Sequence, residues 1–123
     1  MKYSVNREER YTVFELHEKN LNSLVAPTLK TEFTIFKNEG VKNFILNLKD
    51  VLYIDSSGLS SILTGKRLFQ DTGGTFIMCN VQLSNVQKLI QISRLDAVLV
   101  ILPTLEESIE YVFMSDIEHE LNG

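Results

Sequence analysis

The fold is decided by the stretch Val51-Leu52-Tyr53-Ile54-Asp55-Ser56-Ser57-Gly58-Leu59-Ser60-Ser61-Ile62-Leu63. Its apolar run ends in Asp-Ser-Ser-Gly, and apolar residues then recur at helical spacing, at Leu59, Ile62 and Leu63. Asp and Ser are strong helix N-cap residues because their side-chain oxygens accept hydrogen bonds from the unpaired amides of the first turn. We therefore expect a helix to begin near Ser57. Its N-terminus would carry serine hydroxyls where the helix dipole favours negative charge.

This stretch allows two interpretations. A well-capped helix needs no further role, and helix caps greatly outnumber regulatory sites. Alternatively, a serine at a helix N-terminus can carry a phosphate without disrupting its own helix. Taken alone, the stretch favours the plain cap.

The composition is that of an ordinary globular chain. Its 123 residues suit one domain over residues 1–123, with 44% hydrophobic and 23% charged residues. The net charge is -4 and the largest basic cluster is Lys66-Arg67, so nothing predicts binding to nucleic acid. The chain has no apolar run of bilayer-spanning length and no signal-peptide core. We expect a soluble, cytoplasmic protein without direct membrane insertion, in which the single Cys79 is a buried thiol.

Strand and helix patterns alternate along the chain. Alternating or continuous apolar runs predict strands at Lys2–Val5, Tyr11–His17, Phe44–Leu48, Thr75–Cys79 and Val98–Ile101, with a turn at Asn6–Arg10. Helical periodicity predicts four helices, which begin near Leu24, Ser57, Ser84 and Leu105. Capping boxes are expected at Ser84 with Gln87 and at Thr104 with Glu107. The last helix should bury one stripe, made of Leu105, Ile109, Val112, Phe113 and Ile117.

This alternation predicts an α/β fold. Successive βαβ units with right-handed crossovers give a mostly parallel sheet of four to five strands, flanked by about four helices. Loops that follow parallel strands share the carboxyl edge of the sheet, where ligands tend to bind. The loops expected there are Asn20–Ser23, Asp55–Gly58 and Asn80–Ser84, all small and polar. Polar caps alone would also explain their composition, and position does not separate the two explanations.

Catalytic motifs are not visible in this sequence. The two histidines, His17 and His119, belong to no cluster with metal-ligand spacing. The segment Gly58–Ile62 lacks the final glycine of a nucleophile elbow, and Gly73-Gly74 lacks the spacing of a phosphate loop. We therefore expect no enzyme activity, no cofactor and no metal.

The central stretch resembles the signature of STAS domains, and the nearest group is the small bacterial anti-sigma-factor antagonists. The matching residues are the apolar strand, the link Asp50–Ile54 and Asp55-Ser56-Ser57-Gly58-Leu59. Further matches are Leu21–Ala26 before the first helix, Ile92–Asp96 before the last strand, and Thr104–Ile109 at the final helix start. The resemblance covers essentially the whole chain in order and implies a single STAS-type domain.

The resemblance implies a partner-switching cycle. The unmodified protein would bind an anti-sigma factor that is also a serine kinase, a histidine-kinase-like ATPase, and so free the sigma factor. The kinase would phosphorylate Ser57, with Ser56 as second choice, and a serine phosphatase would reset the system. The expected docking surface consists of Asn22, Ser23, Asp55, Ser56, Ser57, Gly58, Leu59 and Asn80.

Two residues beside Ser57 should have supporting roles, and two positions in the loop before the first helix differ from the family pattern. Asp55 should cap the helix, and Gly58 should let a kinase approach closely, relieve a tight turn, or do both. Many family members have Gly at the position of Lys19 and Asp at that of Asn22, so recognition by this loop can differ. One alternative is a STAS subunit bound constitutively to a membrane transporter or a larger signalling assembly. A more distant one is a nucleotide hydrolase that uses the same helix N-terminus.

Overall fold

Five strands form one sheet in the computed structural model, which describes residues 1–81 and 84–122. The strands lie in the order β1-β2-β4-β6-β7. Their bounds are β1 Tyr3–Arg7, β2 Thr12–Leu16, β4 Phe44–Asn47, β6 Phe76–Cys79 and β7 Val100–Leu102. Only the pairing of β1 with β2 is antiparallel, and the others are parallel. Two further short strands, β3 Asn20–Leu21 and β5 Tyr53–Ile54, pair in parallel as a separate unit.

Four α-helices cover the two faces of the sheet. They are α1 Ala26–Asn38, α2 Ser56–Gln70, α3 Ser84–Ile92 and α4 Leu105–Asn122. The larger core cluster lies beneath the first three helices, where phenylalanine rings meet edge to face or stacked. A smaller cluster, made of Val13, Ile45, Ile77, Cys79 and Val112, lies beneath α4. Every residue of β4 and β6 is buried because helices cover both faces of these central strands. The predicted single α/β domain with a mostly parallel sheet is confirmed.

Strand ends differ from the prediction by at most two residues. β1 continues to Arg7, into the predicted turn, because Asn6 and Arg7 still pair with β2. The last strand begins at Val100, because the preceding residues Leu95–Ala97 form a short 3-10 helix. The predicted loop Asn80–Ser84 lies partly outside the described residues, as does the Ser84 side chain of the predicted capping box. In the second box, the Glu107 amide donates to Thr104 Oγ1 at 3.1 Å.

The predicted stripe of α4 is wrong at two positions. Val112 is buried, and Leu105 and Ile109 pack against the same cluster. Phe113 and Ile117, however, are 42% and 50% exposed. The residues that pack inward recur three or four apart from Leu105, and Phe113 and Ile117 lie on a different side of the helix. Periodicity alone cannot distinguish two apolar sides of one helix.

Candidate functional site

Asp55 caps α2. Its backbone is extended (φ −100°, ψ −173°) and its Oδ1 accepts a hydrogen bond from the Gly58 amide at 2.9 Å. Its carbonyl accepts from the Leu59 amide at 3.0 Å, which is the first bond of the helix. The predicted cap is therefore confirmed, with α2 beginning at Ser56, one residue before the expected start.

The serines of this helix differ in accessibility. Ser56 and Ser60 are exposed, Ser57 is half-buried, and Ser61 is fully buried. The Ser61 hydroxyl donates to the Gly58 carbonyl at 2.6 Å, which identifies it as a structural group. Within the described residues, neither the Ser56 nor the Ser57 hydroxyl has a hydrogen-bond partner. These two hydroxyls are therefore free at the N-terminus of α2, where first-turn amides and the helix dipole favour an anion.

Gly58 lies against the β3–β5 unit. A Cβ atom on Gly58 would meet the Leu21 carbonyl oxygen at 2.3 Å and side-chain atoms of Leu21 and Ile54 at 2.9 Å. The missing side chain would thus point into the protein. This geometry supports steric relief, the second of the two roles expected for Gly58.

The β3–β5 unit joins two of the three predicted loops. The carbonyl of Lys19 accepts from the amides of Leu52 and Tyr53, at 2.7 and 3.0 Å, and the Leu21 carbonyl accepts from the Asp55 amide at 3.2 Å. The chain before α1 is thereby held beside the start of α2. Lys19 acts here through its backbone, so the difference from the family pattern leaves this connection intact.

Asn22 and Ser23 occupy the turn that follows β3. Asn22 Oδ1 accepts from the Leu24 amide at 3.0 Å, and the Asn22 carbonyl accepts from the amides of Val25 and Ala26. Asn22 thus organises the turn before α1, while Ser23 is exposed. Both residues lie on the loop that β3 connects to the Ser57 region.

Asn80 and Leu59 have structural contacts. Asn80 adopts a left-handed backbone (φ 58°), and its Nδ2 donates to Asn47 Oδ1 at 3.0 Å, so it connects the ends of β6 and β4. Leu59 is buried in the larger core cluster. Leu59 is thus part of the core, whereas Asn80 is half-buried and its side-chain amide is already bonded within the domain. The contact of these residues with a partner stays a prediction.

Exposed apolar residues near Ser57 were missed by the sequence analysis. Leu24, before α1, is 86% exposed, and Tyr53, in β5, is 60% exposed. The sequence signal was present, because Tyr53 belongs to the opening stretch and Leu24 to the loop before the first helix. The sequence analysis treated Tyr53 only as part of an apolar run, and such a run does not show which of its residues are exposed.

Lys30 of α1 brings a cation to one serine of α2. Its Nζ lies 3.4 Å from Ser60 Oγ, and Ser60 is one helical turn after Ser57. Asp55 therefore supplies a carboxylate at the start of α2, and Lys30 supplies an ammonium group beside its second turn.

The fold brings together a further polar cluster that sequence spacing did not show. Ligand-type atoms of Glu15, His17 and Asp50 lie within 4.8 Å of one another. Asp50 Oδ2 accepts a hydrogen bond from His17 Nδ1 at 2.8 Å, and His17 Nε2 lies 2.7 Å from the Ser4 hydroxyl oxygen. Lys49 Nζ lies 2.8 Å from Glu15 Oε1. The hydrogen bond that Lys49 donates to Glu15 and the negative charge of this carboxylate raise the pKa of Lys49. Each group has a partner, so the cluster fastens β1 and the end of β2 to the segment after β4.

Cys79 is buried at the end of β6, as predicted. Burial raises the pKa of its thiol to about 11, although a hydrogen bond with Ser108 partly opposes this shift. A thiol with such a pKa is a poor nucleophile at neutral pH.

Among the described helices, none is long and apolar enough to cross a membrane.

Comparison with known proteins identifies the family. The sequence model of the STAS domain family matches residues 2–108 of this chain. The chain belongs to the STAS domain family. A Thermotoga maritima protein assigned as an anti-sigma factor antagonist is 26% identical, with a TM-score of 0.80 over 89% of this chain and 93% of that one.

Other solved STAS folds resemble this domain at lower identity. The phosphorylated form of the Bacillus cell fate determinant SpoIIAA is 22% identical, with a TM-score of 0.68 over 90% of this chain and 99% of that one. A sulfate transporter family protein from Wolinella succinogenes is 17% identical, with a TM-score of 0.74 over 88% of each chain. At these identities the similarity concerns the fold, which both kinds of protein share.

Proposed function

We propose that this STAS domain, extending over residues 1–123, is an anti-sigma-factor antagonist whose switch is Ser57. The observation that carries the proposal is the position of Ser57. It is a half-buried serine in the first turn of a helix capped by Asp55, and its hydroxyl has no partner within the described residues. A relative with this assigned role shares 26% of its residues and nearly its whole length with this chain.

The physical switch is the charge of a phosphate. A phosphoserine adds about −1.5 to −2 charges at neutral pH. In the free protein, first-turn amides and water stabilise that charge. In a complex it would lie inside the interface beside Asp55, where an unpaired buried charge costs several kcal/mol. Phosphorylation would therefore release the partner without unfolding the domain.

The docking surface surrounds this serine. Ser23, Ser56 and Asp55 supply exposed polar groups, and Leu24 and Tyr53 supply exposed apolar area. Apolar anchors beside a polar rim are typical of protein interfaces. The partner would be an anti-sigma factor with serine kinase activity, of the histidine-kinase-like ATPase type. A serine phosphatase would restore the unmodified form. In this role the protein acts in the cytoplasm as a regulator of transcription and performs no catalysis itself.

Phosphate mapping tests the residue assignment. The cognate kinase and ATP are incubated with the wild type, with Ser57→Ala and with Ser56→Ala, and the products are digested for mass spectrometry. We expect one phosphate on Ser57 in the wild type and in Ser56→Ala, and none in Ser57→Ala. Phosphate found only on Ser56 or Ser60 would show that another residue is the switch.

In a second candidate function the domain has the same fold, but Ser57 is not a phosphorylation switch. In it, the domain is a constitutive subunit of a membrane transporter or a larger signalling assembly, and Ser57 only shapes an interface. Because a sulfate transporter family protein shares the fold, the fold does not separate the two candidates. Phosphate-affinity electrophoresis of the native protein does so, because only the switch predicts a phosphorylated band. The nucleotide hydrolase alternative predicts turnover by the isolated protein that is lost in Ser57→Ala.

A further inference from the structure

The outward side of α4 carries apolar residues that the domain does not bury. Met114 is 61% exposed, Leu121 79%, Ile117 50% and Phe113 42%, with the Phe113 ring also packed edge to face against Tyr11. Phe113, Ile117 and Leu121 are four positions apart and Met114 is three positions before Ile117, so they adjoin on the helix surface. We call these four residues the outer stripe of α4. Contiguous exposed apolar residues mark interaction sites far more often than single ones do.

The outer stripe is bordered by carboxylates. Helix α4 contains six acidic residues and no lysine or arginine. Asp116 and Glu120 lie within 4.0 Å of Arg10. The other four, Glu106, Glu107, Glu110 and Glu118, are exposed and have no ion-pair partner in the part of the chain that the structure describes. The outward face therefore combines an apolar stripe with uncompensated negative charge.

We propose that the outer stripe of α4 is a docking surface for a basic amphipathic helix of another protein. An apolar helix face would cover the stripe, and lysine or arginine residues beside it would pair with Glu110 and Glu118. Helix-in-groove and helix-on-helix recognition uses anchors at this spacing. Charge complementarity would set the orientation and accelerate the encounter.

The same charges disfavour two other occupants. A second copy of the chain would bring two acidic helices side by side, and like charges across an interface are unfavourable. An anionic membrane surface attracts helices that are rich in lysine and arginine, which α4 lacks. A basic partner helix satisfies both the apolar stripe and its charged border.

The location makes this surface independent of Ser57. Helix α4 packs on the smaller core cluster, on the face of the sheet opposite α1, α2 and α3. The second half of α4 contacts Arg10 and Asn43, which lie just before the amino ends of β2 and β4. Ser57 lies at the opposite edge of the sheet, where the parallel strands have their carboxyl ends. A partner on α4 would leave the Ser57 surface uncovered, so the domain could hold two proteins at once.

The test uses a synthetic probe and the full chain. The probe is a fluorescent peptide of about 18 residues, long enough to form a helix, with leucine at i, i+3, i+4 and i+7 and lysine elsewhere. A second peptide replaces every lysine by glutamate. Fluorescence anisotropy measures the affinity, and amide shifts in NMR spectra locate the contact. We expect saturable binding of the lysine peptide, with shifts on residues 113–121, and no binding of the glutamate peptide.

Matched variants make the result specific. Ile117→Gln with Leu121→Gln should weaken binding about tenfold or more, since each removes a buried apolar anchor. Glu110→Lys with Glu118→Lys should weaken it as strongly. Ile35→Gln, which removes a similarly exposed isoleucine from α1, should have no effect. Circular dichroism should show an unchanged fold in every variant, since the replaced side chains face solvent.

Several results would overturn the proposal. Equal affinity of the Ile117→Gln/Leu121→Gln variant and the wild type would show that the peptide binds elsewhere. A wild-type dimer in sedimentation equilibrium that Ile117→Gln dissociates would assign the stripe to a second copy. Co-sedimentation with anionic phospholipid vesicles, lost in the same variant, would assign it to a membrane.

Discussion

Replacing Gly58 by alanine tests whether the start of α2 packs closely against the β3–β5 unit. In an ordinary helix interior, alanine in place of glycine stabilises by about 1 kcal/mol. At Gly58 the added Cβ would lie 2.3 Å from the Leu21 carbonyl oxygen, far inside the 3.0 Å that Cβ atoms keep from other heavy atoms. We therefore expect the opposite sign.

The size of this destabilisation depends on the atoms that the added Cβ would displace. Overpacking of this kind costs about 1–3 kcal/mol. The same Leu21 carbonyl accepts from the Asp55 amide, so moving it also weakens a hydrogen bond with a net value of about 1 kcal/mol. Against the propensity gain, Gly58→Ala should lower the free energy of unfolding by about 1–3 kcal/mol.

Urea denaturation followed by far-UV circular dichroism measures this change. Ser60→Ala is the matched control, because Ser60 is exposed on the same helix and its replacement should stay within about 0.5 kcal/mol of the wild type. A Gly58→Ala protein as stable as the wild type, or more stable, would show that α2 does not pack closely against Leu21.

Three further predictions concern groups that hold the domain together. Asp55→Ala should lower the free energy of unfolding by about 1 kcal/mol through loss of the cap, whereas Asp55→Asn, which keeps an acceptor, should cost only a few tenths. Asn43→Ala should cost about 2–3 kcal/mol in the same urea assay, because buried Asn43 bonds to the Arg10 carbonyl and to Thr75, while the exposed Asn38→Ala should be neutral. Cys79 has a folded pKa of about 11 against an ordinary value of 9.0, so its neutral form stabilises the fold below pH 9. That contribution, about 2–3 kcal/mol, should be lost between pH 9 and 11 in the wild type but not in Cys79→Ala.

Much of the fold was predictable because its signals are local. The near-continuous apolar runs at Phe44–Leu48 and Thr75–Cys79 predict buried parallel strands, and the structure has β4 and β6 there. Asp55 predicts the start of α2. The β3–β5 unit was not predictable, since strands of two residues have no periodicity. Its existence depends on backbone bonds between Lys19 and residues 52–53, which no side-chain pattern encodes.

For the candidate site, the position of its residues in the fold was easier to predict than their contacts. The sequence placed Asp55, Ser56 and Ser57 at a helix start on the carboxyl edge of the sheet, where the structure has them. It could not show that Leu59 is buried or that Asn80 bonds to Asn47, because both facts depend on residues distant in the chain. The exposure of Phe113 and Ile117 has a similar cause, since the sheet decides which side of α4 is covered.

The affinity of the domain for its cognate anti-sigma kinase, measured by isothermal titration calorimetry, tests the Ser57 switch most directly. The variants are Ser57→Asp, Ser57→Ala and, as a positional control, Ser56→Asp. We expect Ser57→Ala to bind within about twofold of the wild type. Ser57→Asp should bind at least about a hundredfold more weakly, the equivalent of an unpaired charge buried in the interface. Binding of Ser57→Asp as tight as that of the wild type would contradict the charge switch.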